Sequence, residues 1–341
     1  MIGITDLKQN VHAFLNRRYA LILTYHSVID RPTAFDLWTH ISLKRFEEHM
    51  SILKQSARVI SLKEMAEGIR RHRLPARAVA LTFDDGFANN FTRAFPILRK
   101  FGLPATIFLS TGFIGGWQLF WPERLAYQIM LTTQDSISVS GHTLTLKNVQ
   151  DRSRAFAILR DKIKKMHPGK LEETLVNIEN MLGVPHDPQE PLYHEWLPLQ
   201  WDQVREMADS GLIEFGGHTH THSILARLDD KEAEIQIADC RKALQDNLDQ
   251  SVTSWAYPNG TSQDFEISHR MMLERYGFKI IVTAMPAYIS PESDPGELGR
   301  WNIGGNHSVM ELRSILAKQN RWGSISRRER LRTVAAALDL L

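Results

Sequence analysis

The chain has a single cysteine, Cys240, among 341 residues. That excludes an internal disulfide framework and makes a reducing compartment the expected setting. Charge of one sign is equally scarce in excess: 41 Lys and Arg stand against 39 Asp and Glu, a net charge of +2. No global field draws this chain to nucleic acid, and no nucleic-acid partner is expected. A run of 18 apolar residues is also missing, so no membrane-spanning segment is expected. Ile2, Ile4, Leu7, Val11, Phe14 and Leu15 form a helical stripe, but Asp6, Lys8 and Asn10 interrupt any apolar core of a secretory signal. The stripe reads as a helix packed on the body of the protein, with peripheral membrane contact as its alternative. The expected localisation is cytoplasmic. Internal repeats and low-complexity segments are absent as well.

What is present is a hydrophobic content of 43%, enough to bury a large core. Short apolar runs predict strands at 20–25, 58–61, 79–83, 105–109, 212–217, 254–257 and 279–283. Helical periodicity predicts helices at 43–55, 62–71, 89–101, 201–210, 231–248 and 262–276. Ser42 and Ser308 are the expected N-caps of the first helix and of a helix at 309–318. A further helix is expected at 327–340, so 308–341 reads as carboxyl-terminal helices. This alternation indicates α/β architecture with a mainly parallel sheet or barrel, in one domain spanning 1–341. The stretch 117–198 breaks the rhythm and reads as a mixed insertion at the active-site rim. Within it, 137–147 alternates like a hairpin, and Phe156, Leu159, Ile163 and Met166 mark a helix expected to end at Pro168-Gly169. From Lys147 to Lys170 eight Lys and Arg face two Asp, read as a solvated helix face or as a patch for an anionic, phosphate-bearing substrate.

Two motifs carry the chemistry. Asp84-Asp85-Gly86 closes the run Val79-Ala80-Leu81-Thr82-Phe83, and His218 and His222 follow the run Leu212-Ile213-Glu214-Phe215. Consecutive strand residues face opposite sides, but a strand's carboxyl end is already turning, and Gly86 permits a tight turn. Both carboxylates can then reach one cleft, where α/β folds place their sites. One carboxylate and two imidazoles suit a divalent metal with open coordination positions; the second carboxylate is free to act as a base. The combination points to metal-assisted hydrolysis. Zinc is the first choice, with Co2+, Ni2+ or Fe2+ suited to the same donors.

Leu81-Thr82-Phe83-Asp84-Asp85-Gly86 together with His218-Thr219-His220-Thr221-His222 resembles the polysaccharide deacetylase family (NodB homology, carbohydrate esterase 4). The resemblance implies a distorted (β/α)7 barrel, Asp84 as catalytic base, and Asp85, His218 and His222 as metal ligands. It also implies an N-acetylated saccharide as substrate. Two family motifs are altered here. The third is represented by Ala256-Tyr257-Pro258-Asn259-Gly260 without its arginine, and the carboxyl-terminal Leu-x-His is absent from Gly299-Arg300-Trp301-Asn302-Ile303. Some members are permuted and take the acid histidine from an early Tyr-His segment, which Tyr25-His26 matches. His26 is therefore the expected general acid, and Arg300 the replacement arginine that holds Asp84. Tyr257, Pro258 and Asn259 are expected to meet substrate, with the Tyr257 N–H as an oxyanion donor. Trp38, Trp117, Trp121 and Trp301 are candidate sugar platforms. Ser223 is expected to steady a ligand imidazole, and His220 to point away from the ligands.

The same residues admit competing readings. A non-haem iron oxygenase also uses two His and one carboxylate, but belongs with all-β barrels. A two-carboxylate glycosidase leaves the histidines unused. An O-acetyl esterase, or a carbohydrate-binding protein of the same fold without activity, stays open at this level.

Overall fold

The structure is a computed structural model that describes residues 19–31, 33–139 and 141–324. The expected amino-terminal stripe at 2–15 and the helix at 327–340 lie outside the described residues. Seven parallel strands build the body: β1 Leu21–Tyr25, β2 Ala78–Phe83, β3 Ala105–Leu109, β4 Ile213–Gly217, β5 Ser254–Ala256, β6 Ile280–Val282 and β7 Trp301–Asn302. They lie in the order β6-β5-β4-β3-β2-β1-β7, and the short strand Arg58–Val59 also pairs with β2. Every residue of β1 and β2 is buried. Burial on both faces is why these strands read as continuous apolar runs rather than as alternation.

The sheet curls into a distorted α/β barrel through one short segment. Leu298 bridges Val282 of β6, and three residues later Trp301 and Asn302 pair with Leu23 and Thr24 of β1. Residues 298–302 thereby meet both ends of the sheet. Helices pack outside it, among them Leu43–Ser56, Trp201–Asp209, Asp230–Asn247 and Val309–Ser324. Ser42 caps the first by accepting from the Arg45 N–H, and Ser308 accepts from the Glu311 N–H. Among the described residues no helix is long and apolar enough to cross a membrane.

The stretch 117–198 has a core of its own. Leu125, Phe156, Leu159, Leu175 and Trp196 cluster there, joined by Phe35 and Leu37 from the segment after β1. Its elements are helices Trp121–Leu131, Val149–Ile163, Pro168–Leu182 and Pro191–Glu195, with the hairpin Ser136–Val139 and His142–Thr145. The expected helix end at Pro168-Gly169 is corrected: the helix stops at Ile163, and Pro168 starts the next one. Proline's fixed φ and missing N–H suit a first turn as well as a stop. Buried Arg124 ties two of these helices together by donating to Glu179 and Glu172.

Candidate active site

The chain turns sharply where β2 ends. Asp85 has φ +74° and Gly86 φ +90°, and the Gly86 N–H donates to the Asp84 carbonyl at 2.9 Å. This left-handed step, which Asp tolerates better than most residues, turns Asp85 into the cleft that Asp84 faces. A Cβ at Gly86 would lie 2.8 Å from Leu109 Cδ2, so the turn is pressed against β3. A matching distortion follows β4, where Thr219 has φ +62° and His222 φ +56°. Such conformations in a β-branched residue are costly and persist where the surroundings impose them.

These two turns bring together Asp85, His218 and His222, with one ligand atom of each within 4.8 Å of the others. Asp85 Oδ1 lies 3.4 Å from His218 Nε2 and 3.1 Å from His222 Nε2. Yet Asp85 Oδ1 is buried without a hydrogen-bond partner among the described residues. A buried carboxylate oxygen so placed is costly unless a cation receives it. The donor set therefore fits a divalent metal. His218 Nδ1 lies 2.8 Å from the Ala256 carbonyl, which orients the ring and leaves Nε2 for the ligand position. The support expected from Ser223 is corrected, since its hydroxyl pairs with Thr221 at 2.9 Å. His220 points to Thr111 instead, with Nδ1 3.0 Å from Oγ1.

Asp84 sits beside this group. Arg300, fully buried, donates to both its oxygens at 2.7 Å. Its Nε–H donates to the Thr283 carbonyl at 3.0 Å, which fixes the guanidinium. Burial alone would raise the Asp84 pKa, but Arg300 overrides it and holds the carboxyl below its usual range. His26 Nε2 is 4.0 Å from Asp84 Oδ2. Burial lowers the His26 pKa against the pull of Asp85 and Asp84, so the resting ring is neutral. Trp38 packs edge-on against it at 5.3 Å.

A cavity of about 370 Å³ opens over these groups. Asn259, Trp38 and Trp121 line it. Tyr257 and Trp301 do not. Tyr257 is buried in a stack with Phe265, and its N–H donates to the Val282 carbonyl, so it is no oxyanion donor. Pro258 is buried beside it and lies outside the cavity lining. Trp301 donates its indole N–H to the Ala287 carbonyl, and neighbouring Asn302 faces the cavity instead. Strand parity explains that exchange, because adjacent residues of β7 point to opposite sides. Trp117 is largely exposed and lies outside the cavity.

Sequence reasoning missed Glu123. It lies in the first turn of the insertion helix Trp121–Leu131, is only 4% exposed, and lines the same cavity. His40 Nε2 lies 3.5 Å from its carboxylate. Burial of a carboxylate is the informative feature, and only tertiary structure reveals it.

Comparison with known proteins agrees with this architecture. The polysaccharide deacetylase family model matches residues 71–168 and 169–281. The Bacillus subtilis protein YxkH is 31% identical over 125 residues, covering 36% of this chain and 42% of that protein. A poly-beta-1,6-N-acetyl-D-glucosamine N-deacetylase of Staphylococcus aureus is 36% identical over 76 residues, 22% of this chain and 26% of that protein. The matches thus span less than half the length of these relatives. Among solved structures, the Streptococcus pyogenes deacetylase PplD in complex with acetate superposes with TM-score 0.59 at 19% identity. It covers 88% of this chain and 99% of its own. IcaB from Ammonifex degensii gives TM-score 0.54 at 18% identity, covering 89% and 97%. These structures share the fold. With the family model spanning both the Asp84-Asp85 turn and the His218–His222 loop, the chain belongs to the polysaccharide deacetylase family.

Proposed function

We propose that this protein is a metal-dependent hydrolase that removes the N-acetyl group from an amino sugar. The observation that supports it most is the unpartnered Asp85 Oδ1 between two imidazoles, next to a carboxylate clamped by Arg300. Asp85, His218 and His222 would hold one divalent cation, zinc first among those suited to the donors. When bound, that cation supplies Lewis-acid polarisation of the acetyl carbonyl and lowers the pKa of water toward ~7.

The residues of the chain do the rest. Asp84, kept ionised by Arg300, accepts the proton of the attacking water. His26 is neutral at rest and close to Asp84, so it receives that proton and delivers it to the departing nitrogen. Acid catalysis of this kind contributes ~10²–10⁴-fold. Trp38, Asn259 and Asn302 hold the sugar over these groups. The products are acetate and a free amine. The assembled Asp84, Arg300 and His26 favour an enzyme over a binding protein of the same fold.

The test is acetate release from a panel of N-acetylglucosamine oligomers and nucleotide- and lipid-linked N-acetylglucosamine, alongside bound metal measured by atomic spectroscopy. The metal-loaded protein should release acetate, and chelation should abolish it. His218→Ala should lower bound metal, whereas His26→Gln should keep the metal and lose ~10²-fold or more in kcat. No acetate release from the metal-loaded protein, or full metal occupancy in His218→Ala, defeats the proposal.

A further inference from the structure

The basic stretch 147–170 has no part in the chemistry above, yet the fold brings two of its cations to the catalytic cavity. Arg160 and Lys164, one helical turn apart at the end of the insertion helix Val149–Ile163, both line it. A second cavity of about 280 Å³ adjoins it, sharing Trp121, Lys164, His222 and Ile224 as lining. Arg227 lines this second cavity but not the first. The substrate space therefore extends from the ligand imidazole toward the insertion, with cations along the way.

Their existing partners leave them available. Asp161 is the shared counter-charge: it accepts from Arg160 at 2.9 Å, while Lys164 Nζ is 3.9 Å away, too far for a hydrogen bond. This carboxylate is half-exposed, and such surface pairs are worth little and exchange readily. Arg227 spends one nitrogen on the Gln263 carbonyl and lies 3.7 Å from Asp264. Arg124, by contrast, is fully occupied by Glu172 and Glu179 and has no such role. Arg160 also rests on the Phe156 ring, 5.6 Å from its centroid, which holds the guanidinium at the cavity wall.

We infer that Arg160 and Lys164, with Arg227 beyond them, form a phosphate-recognition subsite. The substrate is then an N-acetylated sugar joined to a phosphate group rather than a neutral glycan. Guanidinium and ammonium groups are the usual partners of phosphate oxygens, and their charge-assisted hydrogen bonds are the strong ones. This inference rests on the deacetylase reading for the position of the acetylated sugar, but binding tests it separately.

The experiment measures calorimetric Kd values on the metal-loaded protein for three ligands: a nucleoside-diphosphate N-acetylglucosamine, a short-chain prenyl-diphosphate N-acetylglucosamine, and neutral N-acetylglucosamine trimer. At least one phosphate-bearing ligand should bind ten-fold or more tighter than the trimer. Arg160→Ala/Lys164→Ala should erase that preference, while Lys165→Ala, exposed on the same stretch and outside both cavities, should preserve it. A gain confined to the prenyl ligand assigns the phosphate to a lipid carrier. A gain confined to the nucleotide ligand assigns it to a nucleotide. Equal affinity for all three, or a preference that survives in the double variant, overturns the subsite. Acetate release is scored on the same samples: its absence with every ligand defeats the hydrolase reading, while the Kd values still decide the subsite.

Discussion

At the scale of single residues, the site depends on compensated charge. Arg300 and Asp84 are both buried and bonded through two short hydrogen bonds. Arg300→Met should leave the carboxylate unpaired and cost about 3–5 kcal/mol, read as a lowered urea midpoint. Adding Asp84→Asn should recover part of that loss, since the stranded charge is gone. Glu123 makes a different prediction. If it meets substrate, Glu123→Ala should raise KM about ten-fold with bound metal unchanged, and Glu123→Gln, which keeps one oxygen acceptor, should fall between. An unchanged KM would reduce Glu123 to a partner of His40. Asp84, Asp85, His218 and His222 are legible in the sequence because adjacency and spacing mark them. Arg300 is legible only through a motif missing elsewhere. Glu123 is not, because one acid in a helix carries no local mark of burial. Trp301 stands in for Asn302 in the sequence because a two-residue strand does not disclose its pleat phase.

At the scale of elements, the turns after β2 and β4 carry the strain that brings Asp85, His218 and His222 together. Gly86→Ala should be disproportionately harmful, since the added Cβ meets Leu109 at 2.8 Å in a backbone region that disfavours side chains. The expected result is lost bound metal at preserved secondary structure, followed by atomic spectroscopy and circular dichroism. The strands and barrel helices are legible from apolar runs and periodicity. The insertion is less so, because its helices pack on one another and Pro168 serves as a start where it resembles an end. Helix Leu43–Ser56 docks on β1 through Tyr25 and His49, whose Oη and Nδ1 are 3.2 Å apart. Burial, aided by Arg45, lowers the His49 pKa to about 4 from 6.5. The unfolded chain therefore takes up a proton first as pH falls. His49 contributes full stability above pH 6.5, and that contribution fades toward pH 4, by roughly 3 kcal/mol at most. Urea midpoints at pH 7 and 4.5 should fall less steeply in His49→Gln than in the parent.

At the scale of the whole molecule, two cores meet at one cavity. The barrel lines it with His26, Asp84, Asp85, His218 and His222, and the insertion with Glu123, Arg160 and Lys164. Arg124→Met should loosen the insertion while sparing the barrel, because the bonds it removes join only insertion helices. Hydrogen exchange should then quicken at amides of 121–182 and stay unchanged in β1, β2 and β3. Uniform acceleration would mean that the two cores open as one.

The guanidinium that neutralises Asp84 also belongs to the strap of chain that seals the sheet, 216 positions downstream. On the ribosome, at about 5–20 residues per second, the acid therefore waits roughly 10–40 s for its counter-ion. Throughout that interval neither the pairing of β7 with β1 nor the Arg300 bonds to Asp84 can form. Closure of the sheet and neutralisation of Asp84 therefore depend on the same late segment of chain.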